Sequence, residues 1–413
     1  MAHRPLPAFE RTALSNDIPV YLLPYGSVPV AEVQVVFKAG KAYQDKIGQA
    51  SYTARMLSEG TANHTSQQLA EKLDEHGSWI HHDQGAEYIS VNLTSLVADL
   101  PETLPLLAEV LLEPGFPEEE FVKLKSRNLQ QLQVKEEKTT TVARRVFGHM
   151  LYGANHPYGI HLRTEELNLL DLIDLETYYK RHLQLSNAFI IVSGNFDRIA
   201  MLAQLEKVFG TIPTGEAPAL EKLALSSPKN EKGLHSIHRE GPQSTIRVGH
   251  LGVDRNHPDY YGLEMLVTAL GGYFGSRLMK KIREEKGYTY GIYGAWAANR
   301  HAGHLVIQTD VANDYVEDTL NQIKLEMRRL QNEAISQDEL SLLQNYMLGK
   351  GLRARETPFQ LAETLRYSLV YDIPFPEMDR GFEVIQHISP EELQALAVKH
   401  FQPDGMLEVV VGG

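Results

Sequence analysis

The stretch “LGGYFGSRLMKKIREEKGYTYGIYG”, Leu270 to Gly294, joins a glycine-rich turn, a short basic helix and an aromatic strand. Ser276 is placed to cap “SRLMKKIREEKG”, and Gly287 to end it. That puts Arg283 in the last helical turn and Tyr290 on the strand that follows. Gly271, Gly272 and Gly275 leave room for a tight backbone approach. Taken alone, an arginine in a last turn complements the helix dipole, and a tyrosine in a strand packs well. What the pair serves depends on the rest of the chain.

Outward from this segment, the chain repeats itself. “VAEVQVVFKAG” alternates Ala31, Val33, Val35 and Phe37 with Glu32 and Gln34, the pattern of a half-buried strand. “GQASYTARMLSEG” follows as a helix stopped by Gly60, and “TSQQLAEKLDEHG” as a helix capped by Thr65 and ended by Gly77. “EYISVNLTSL” alternates again, with Ile89, Val91 and Leu93 on the apolar face. Three helices then run from “LPETLPLLAEVLLEP” to “DLIDLETYYKRHL”, before the buried strand “AFIIVSGNF”. The second half repeats the order. “STIRVGHLGV” and “GHLVIQTDVA” read as strands, “VEDTLNQIKLEMRRL” and “SQDELSLLQNYMLGKGLRARE” as helices. “YKRHLQLSNAFIIVSG” aligns with “VKHFQPDGMLEVVVGG”, placing His182 over His400 and Gly194 over Gly412. The offset is far too long for a solenoid repeat.

These halves imply two duplicated domains, 1–215 and 235–413, joined by a linker at 216–234 rich in Pro, Ser and Lys. The fold class is α+β: each domain a mostly antiparallel sheet with helices packed on one face.

Composition narrows the function. Of 413 residues, 43% are apolar and 23% charged, the profile of an ordinary globular protein. A formal net charge of −13 argues against a nucleic-acid partner. With no cysteine there is no disulfide, thiolate metal site or cysteine nucleophile. The start, “MAHRPLPAFERTALSNDIPV”, carries no signal-peptide core, and no run is long and apolar enough to span a membrane. The expected location is cytoplasmic, with no membrane partner.

Three blocks in order carry a family resemblance: “FKAGKAYQDKIGQASYTARMLSEGT”, “NHPYGIHLRTEELNLLDLIDLETYYKRHLQLSNAFIIVSGNFD” and “GGYFGSRLMKKIREEKGYTYGIYG”. Together they resemble the M16 metallopeptidases, the family of pitrilysin and the mitochondrial processing peptidase, over nearly the whole chain. The resemblance implies a chamber of four such domains closing on an extended peptide. Two domains here imply a partner chain.

Active members of that family carry H-x-x-E-H on the first-domain helix, two histidines for zinc and a glutamate that activates water. Aligned on “G-x-A…M-L-x-x-G-T”, those positions fall on Ser51, Ala54 and Arg55, and a further glutamate ligand falls near Gln131. No zinc ligand remains, so no metal or cofactor is expected in this chain. Other histidine groups are His76, His81 and His82 with Asp83; His301 and His304; and His149, His156 and His161. They read as turn, strand and loop residues, since adjacent strand positions point to opposite faces.

The resemblance also gives Arg283 and Tyr290 a role. In the family an arginine and a tyrosine at this spacing stabilise the oxyanion or bind neighbouring carbonyls. The first reading is therefore a subunit of a heterodimeric zinc peptidase, supplying Arg283 and Tyr290 in trans to a zinc-bearing partner. In isolation such a chain could pair as a homodimer. The alternative is a non-catalytic scaffold or peptide-binding protein. The sequence names neither the peptide nor the partner.

Overall fold

The computed structural model describes residues 9–216 and 228–413. The first half supplies β1 (Glu10–Ala13), β2 (Pro19–Pro24), β3 (Val30–Phe37), β4 (Trp79–Gln84), β5 (Ile89–Leu96) and β6 (Ala188–Gly194). Its helices are α1 (Gln49–Met56), α2 (Ser66–Glu75), α3 (Leu100–Leu112), α4 (Glu118–Glu136), α5 (Thr139–Tyr152), α6 (Thr164–Leu169), α7 (Leu172–His182) and α8 (Arg198–Leu205). The second half supplies β7 (Gly233–Ile237), β8 (Gln243–Gly252), β9 (Ile292–Ala298), β10 (Gly303–Ala312) and β11 (Leu407–Val411). With them come α9 (Tyr260–Val267), α10 (Val316–Asn332), α11 (Gln337–Arg353), α12 (Pro358–Val370), α13 (Phe375–His387) and α14 (Pro390–His400). No helix among the described residues is long and apolar enough to cross a membrane.

The duplication is visible in the sheets. The first runs β1-β2-β6-β3-β5-β4 and the second β7-β11-β8-β10-β9. Leaving β1 aside, the two orders superpose strand for strand. In each, one pair is parallel, β2 with β6 and β7 with β11, and the other pairs are antiparallel. The helix starts follow local chemistry. Reciprocal side-chain and backbone bonds cap α2 at Thr65 and Gln68, α7 at Asp171 and Asp174, and α14 at Ser389 and Glu392.

Each sheet packs its own helices on one face. For the first, Val33, Val35 and Phe37 of β3 join a core with Tyr52, Leu104, Leu107 and Tyr178. The opposite face takes a helix from the other half. α12 lays Leu361, Ala362 and Leu365 against Tyr21, Val36, Phe189 and Ile191. Reciprocally, α5 lays Val142, Phe147 and Leu151 against Val306, Leu407, Val409 and Val411.

This exchange corrects the half-buried reading of β3 and β5. Gln34, Ser90 and Asn92 stand on the polar side of the alternation, yet all are buried. Two of them meet α12 instead of water, and the third meets β4: Gln34 Nε2 donates to Glu363 Oε1 at 2.9 Å, Arg366 Nη1 to Ser90 Oγ at 3.0 Å, and Asn92 Nδ2 meets His81 Nε2 at 3.1 Å. Arg366 Nη2 also reaches Asp83 at 2.8 Å and pairs with Glu363. Much of the expected linker lies outside the described residues, and β7 starts at Gly233, two residues inside that expectation.

Leu151 belongs to the first half of the chain but is fully buried with strands of the second sheet. Leu151→Ala should cost roughly 2–5 kcal/mol in urea denaturation. Hydrogen exchange should accelerate at β8 and β11 and stay unchanged at β3 and β5; acceleration confined to the first sheet would refute the exchanged packing.

Candidate functional site

The segment from Leu270 to Gly294 sits where α9 ends against the second sheet. The end of α9 widens into a π-type turn over Thr268–Gly272. There a side chain at Gly271 would meet the backbone N of Gly294 at 3.0 Å, so the two backbones can touch only without one. Gly272 and Gly275 face only the side chains of Thr268 and Tyr273. A second π-type stretch, Met279–Glu285, ends at Gly287, whose φ of +67° suits glycine.

The module is fastened from several sides. Arg277 grips Glu339 through Nε and Nη2 at 2.8 and 2.9 Å. Lys286 pairs with Asp318 at 2.7 Å, and Tyr288 stacks on Tyr315 with ring centres 4.1 Å apart. Tyr273 stacks on Tyr346. Between these anchors lies a pocket of about 370 Å³, walled by Gly272, Phe274, Ile292 and Tyr293 and floored by Arg247 and Thr309.

Arg283 and Tyr290 occupy different settings here. Arg283 is half-buried in the last turn, its guanidinium 4.6 Å from the centre of the Phe274 ring. Tyr290 is 96% exposed, and its side chain makes no hydrogen bond or ring contact among the described residues. Two local expectations fail. Tyr290 precedes β9 instead of lying on it, because the chain after Gly287 runs irregularly until Ile292. Ser276 does not cap: its hydroxyl is buried without a partner among the described residues, and only its carbonyl accepts, from Lys280 N.

The four aligned first-domain positions lie on α1 and α4. Ser51 Oγ donates back to the Gly48 carbonyl at 3.0 Å, and Ala54 is fully buried. Arg55 Nη1 donates to Asn128 Oδ1 of α4 at 2.9 Å, and its guanidinium lies 5.6 Å from the Tyr52 ring centre. Gln131, exposed on α4, stands about one turn beyond Asn128. Burial pushes the Tyr52 phenol up to about 12, against the pull of Arg55 and Arg127. Burial, and then Arg55, lower the pKa of His82. A fixed guanidinium is the opposite of a dication's donor set. The residues present do not fit zinc. Among the described residues no three His, Asp or Glu side chains are grouped to hold a metal ion.

The remaining histidines are mostly structural. His304 Nδ1 meets Tyr152 Oη at 2.8 Å beside Phe147, and burial pushes its pKa down to about 3. Sequence reasoning missed Arg247 and Asn128. Arg247 was legible as the one charge in “STIRVGHLGV”; Asn128 carried no signal, since only the packing of α4 on α1 makes it a partner.

The fold and these sites define a duplicated two-sheet chain with a metallopeptidase-like frame and no metal cluster among its described residues. The family model described as “Insulinase (Peptidase family M16)” matches residues 22–163, and “Peptidase M16 inactive domain” matches 170–347. The chain belongs to the M16 peptidase family. It is similar to an “Uncharacterized zinc protease” of Rickettsia felis, 22% identical over 400 residues covering 95% of each chain. It is also similar to a “Non-peptidase homolog YmxG” of Helicobacter pylori, 23% identical over 93% of this chain and 89% of that one. A solved peptidase M16 inactive domain from Pseudomonas fluorescens shares the fold, with a TM-score of 0.88 at 24% identity over 98% of both chains.

Burial holds His161 and His182 down at about 4, as it does His304 at about 3. An unfolded histidine takes its proton near 6.5, so below that pH the unfolded state binds more protons. Stability should be flat above about pH 6.5 and fall as pH drops toward 4, by up to ~1.4 kcal/mol per pH unit for each histidine. Urea midpoints at neutral and mildly acid pH test this; a midpoint that rises on acidification would refute it.

Proposed function

We propose that this chain is a non-catalytic M16 protein that binds an extended peptide. The observation that carries the reading is the bond from Arg55 to Asn128, which puts a held cation at the position where active relatives place a zinc ligand. The pocket beside Gly272 and Phe274, with half-exposed Tyr293 on its rim, supplies apolar and polar wall for a peptide. β9, an edge strand of the second sheet, adjoins that pocket and leaves one backbone edge without a strand partner among the described residues. Such an edge can take an added peptide strand. The “Non-peptidase homolog” description of the Helicobacter relative is consistent with this reading. The purified chain should contain no stoichiometric zinc by elemental analysis and should bind unstructured peptides without cutting them. Stoichiometric zinc together with cleavage would overturn it.

A second reading is favoured by Tyr290, a phenol almost wholly exposed and without a partner among the described residues, in the same segment as Arg283. Such a pair is available to a peptide carbonyl held at the zinc centre of an H-x-x-E-H partner. Under that reading the working form is a heterodimer. Mixed with such a partner, Arg283→Ala or Tyr290→Phe should lower kcat by roughly 10²-fold with little change in peptide affinity. Unchanged turnover in both variants would leave only the binding role.

A further inference from the structure

Many cations in this acidic chain are matched by acids: Arg277 with Glu339, Lys286 with Asp318, Lys324 with Glu408, Arg355 with Asp379. Arg144 and Arg247 make no ion pair among the described residues, and they come together where α5 crosses the second sheet. Arg247 rises from β8 into the floor of the pocket, its guanidinium 5.3 Å from the Phe147 ring centre of α5. Its Nη1 donates to Gln308 Oε1 at 2.6 Å, while its Nε is buried with no partner among the described residues. Thr140 of α5 lines the same pocket, and exposed Arg144 follows one helical turn later on the same face.

The charges feel one another. Burial, and then Arg144, hold Arg247 down at about 10, so it remains a cation at neutral pH. Lys41 is depressed by burial, is partly compensated by Glu87 and is lowered further by Arg144, and His161 is held down by burial and then by Arg144, Lys41 and Arg247 among the charges. Two acids lie nearby, Asp310 in the pocket lining and Glu87 beside Lys41, and neither makes an ion pair with Arg144 or Arg247 among the described residues. Asp310 accepts from the hydroxyl of Thr245. Glu87 accepts from Tyr158, and burial raises its pKa, weakening it as a counter-ion. Uncompensated cations placed together repel, and an incoming anion relieves that repulsion.

The geometry points to a carboxylate subsite: Arg247 and Arg144, between α5 and β8, receive a carboxylate of the bound peptide while its neighbouring residues lie along the Phe274–Tyr293 wall. The inference rests on the peptide-binding reading and names the chemistry that site selects. The same oxygen pair can come from an acidic side chain or from a free C-terminus. Guanidinium groups suit either, because they donate in a fork matched to a carboxylate.

The test uses the full chain and pools of fluorescently labelled short peptides, randomised over Ala, Leu, Ser, Thr and Tyr. The pools carry a central Glu or a central Gln, each with a free or an amidated C-terminus. Anisotropy titrations should show at least one carboxylate-bearing pool binding about 10-fold tighter than the doubly neutral pool. Comparing Glu with Gln among amidated pools reads the side-chain source; comparing free with amidated among Gln pools reads the terminus. Arg144→Gln, at an exposed position outside the pocket lining, should abolish that preference while keeping affinity for the neutral pool, and Arg247→Gln, in the pocket floor, should abolish the preference as well. Equal affinity for every pool overturns the carboxylate subsite and leaves peptide binding standing. So does a preference that survives both substitutions. Binding of no pool overturns both.

Discussion

A sheet has two faces, and in this chain the helices of each half cover only one of them. The second face of each sheet is covered by one helix of the opposite half, α12 on the first sheet and α5 on the second. Neither half therefore closes its core alone. Polar residues that would otherwise be solvated, Gln34 and Ser90, are buried beneath α12 and answered there by Glu363 and Arg366. The exchange also fixes where binding chemistry can occur. α5 brings Thr140 and Arg144 to a sheet whose own strands bring Arg247, so that surface belongs to neither half.

The same frame can carry hydrolysis or mere grip, and the difference lies in a few side chains on α1. Two histidines at one-turn spacing would present lone pairs to a cation. Arg55 at that place presents hydrogen-bond donors, and Asn128 holds it. The helix caps at Thr65, Asp171 and Ser389 and the pocket beside Gly271 draw on none of these α1 side chains. On the reading proposed above, such a protein holds a chain in extended form without breaking it.

Much of this was legible beforehand. The duplication showed in the aligned “YKRHLQLSNAFIIVSG” and “VKHFQPDGMLEVVVGG” because both end on a buried interior strand of their sheets, β6 and β11. Helix starts at Thr65, Asp171 and Ser389 were set by neighbours within one turn, which a sequence records directly. The burial of both faces of β3 and β5 was not legible, since the covering helix lies more than 250 residues away in the chain. For Ser276 the residue type suited a cap, but packing left its hydroxyl enclosed. Arg283 could be placed from local spacing; the exposure of Tyr290 could not, because it depends on how the chain leaves Gly287. Arg144 and Arg247 are about 100 residues apart, and only the crossing of α5 over β8 makes them neighbours.

The claim at the centre of this account is that the chain holds a peptide at the end of α9 and does not cut it. Hydrogen exchange with and without a saturating peptide pool, with mass analysis of the peptide from the same tube, addresses both parts together. The account predicts slower exchange at Gly271–Phe274 and along Ile292–Ala298, with every peptide recovered whole. Peptide cleaved by the chain alone, or protection that avoids both segments, would contradict it.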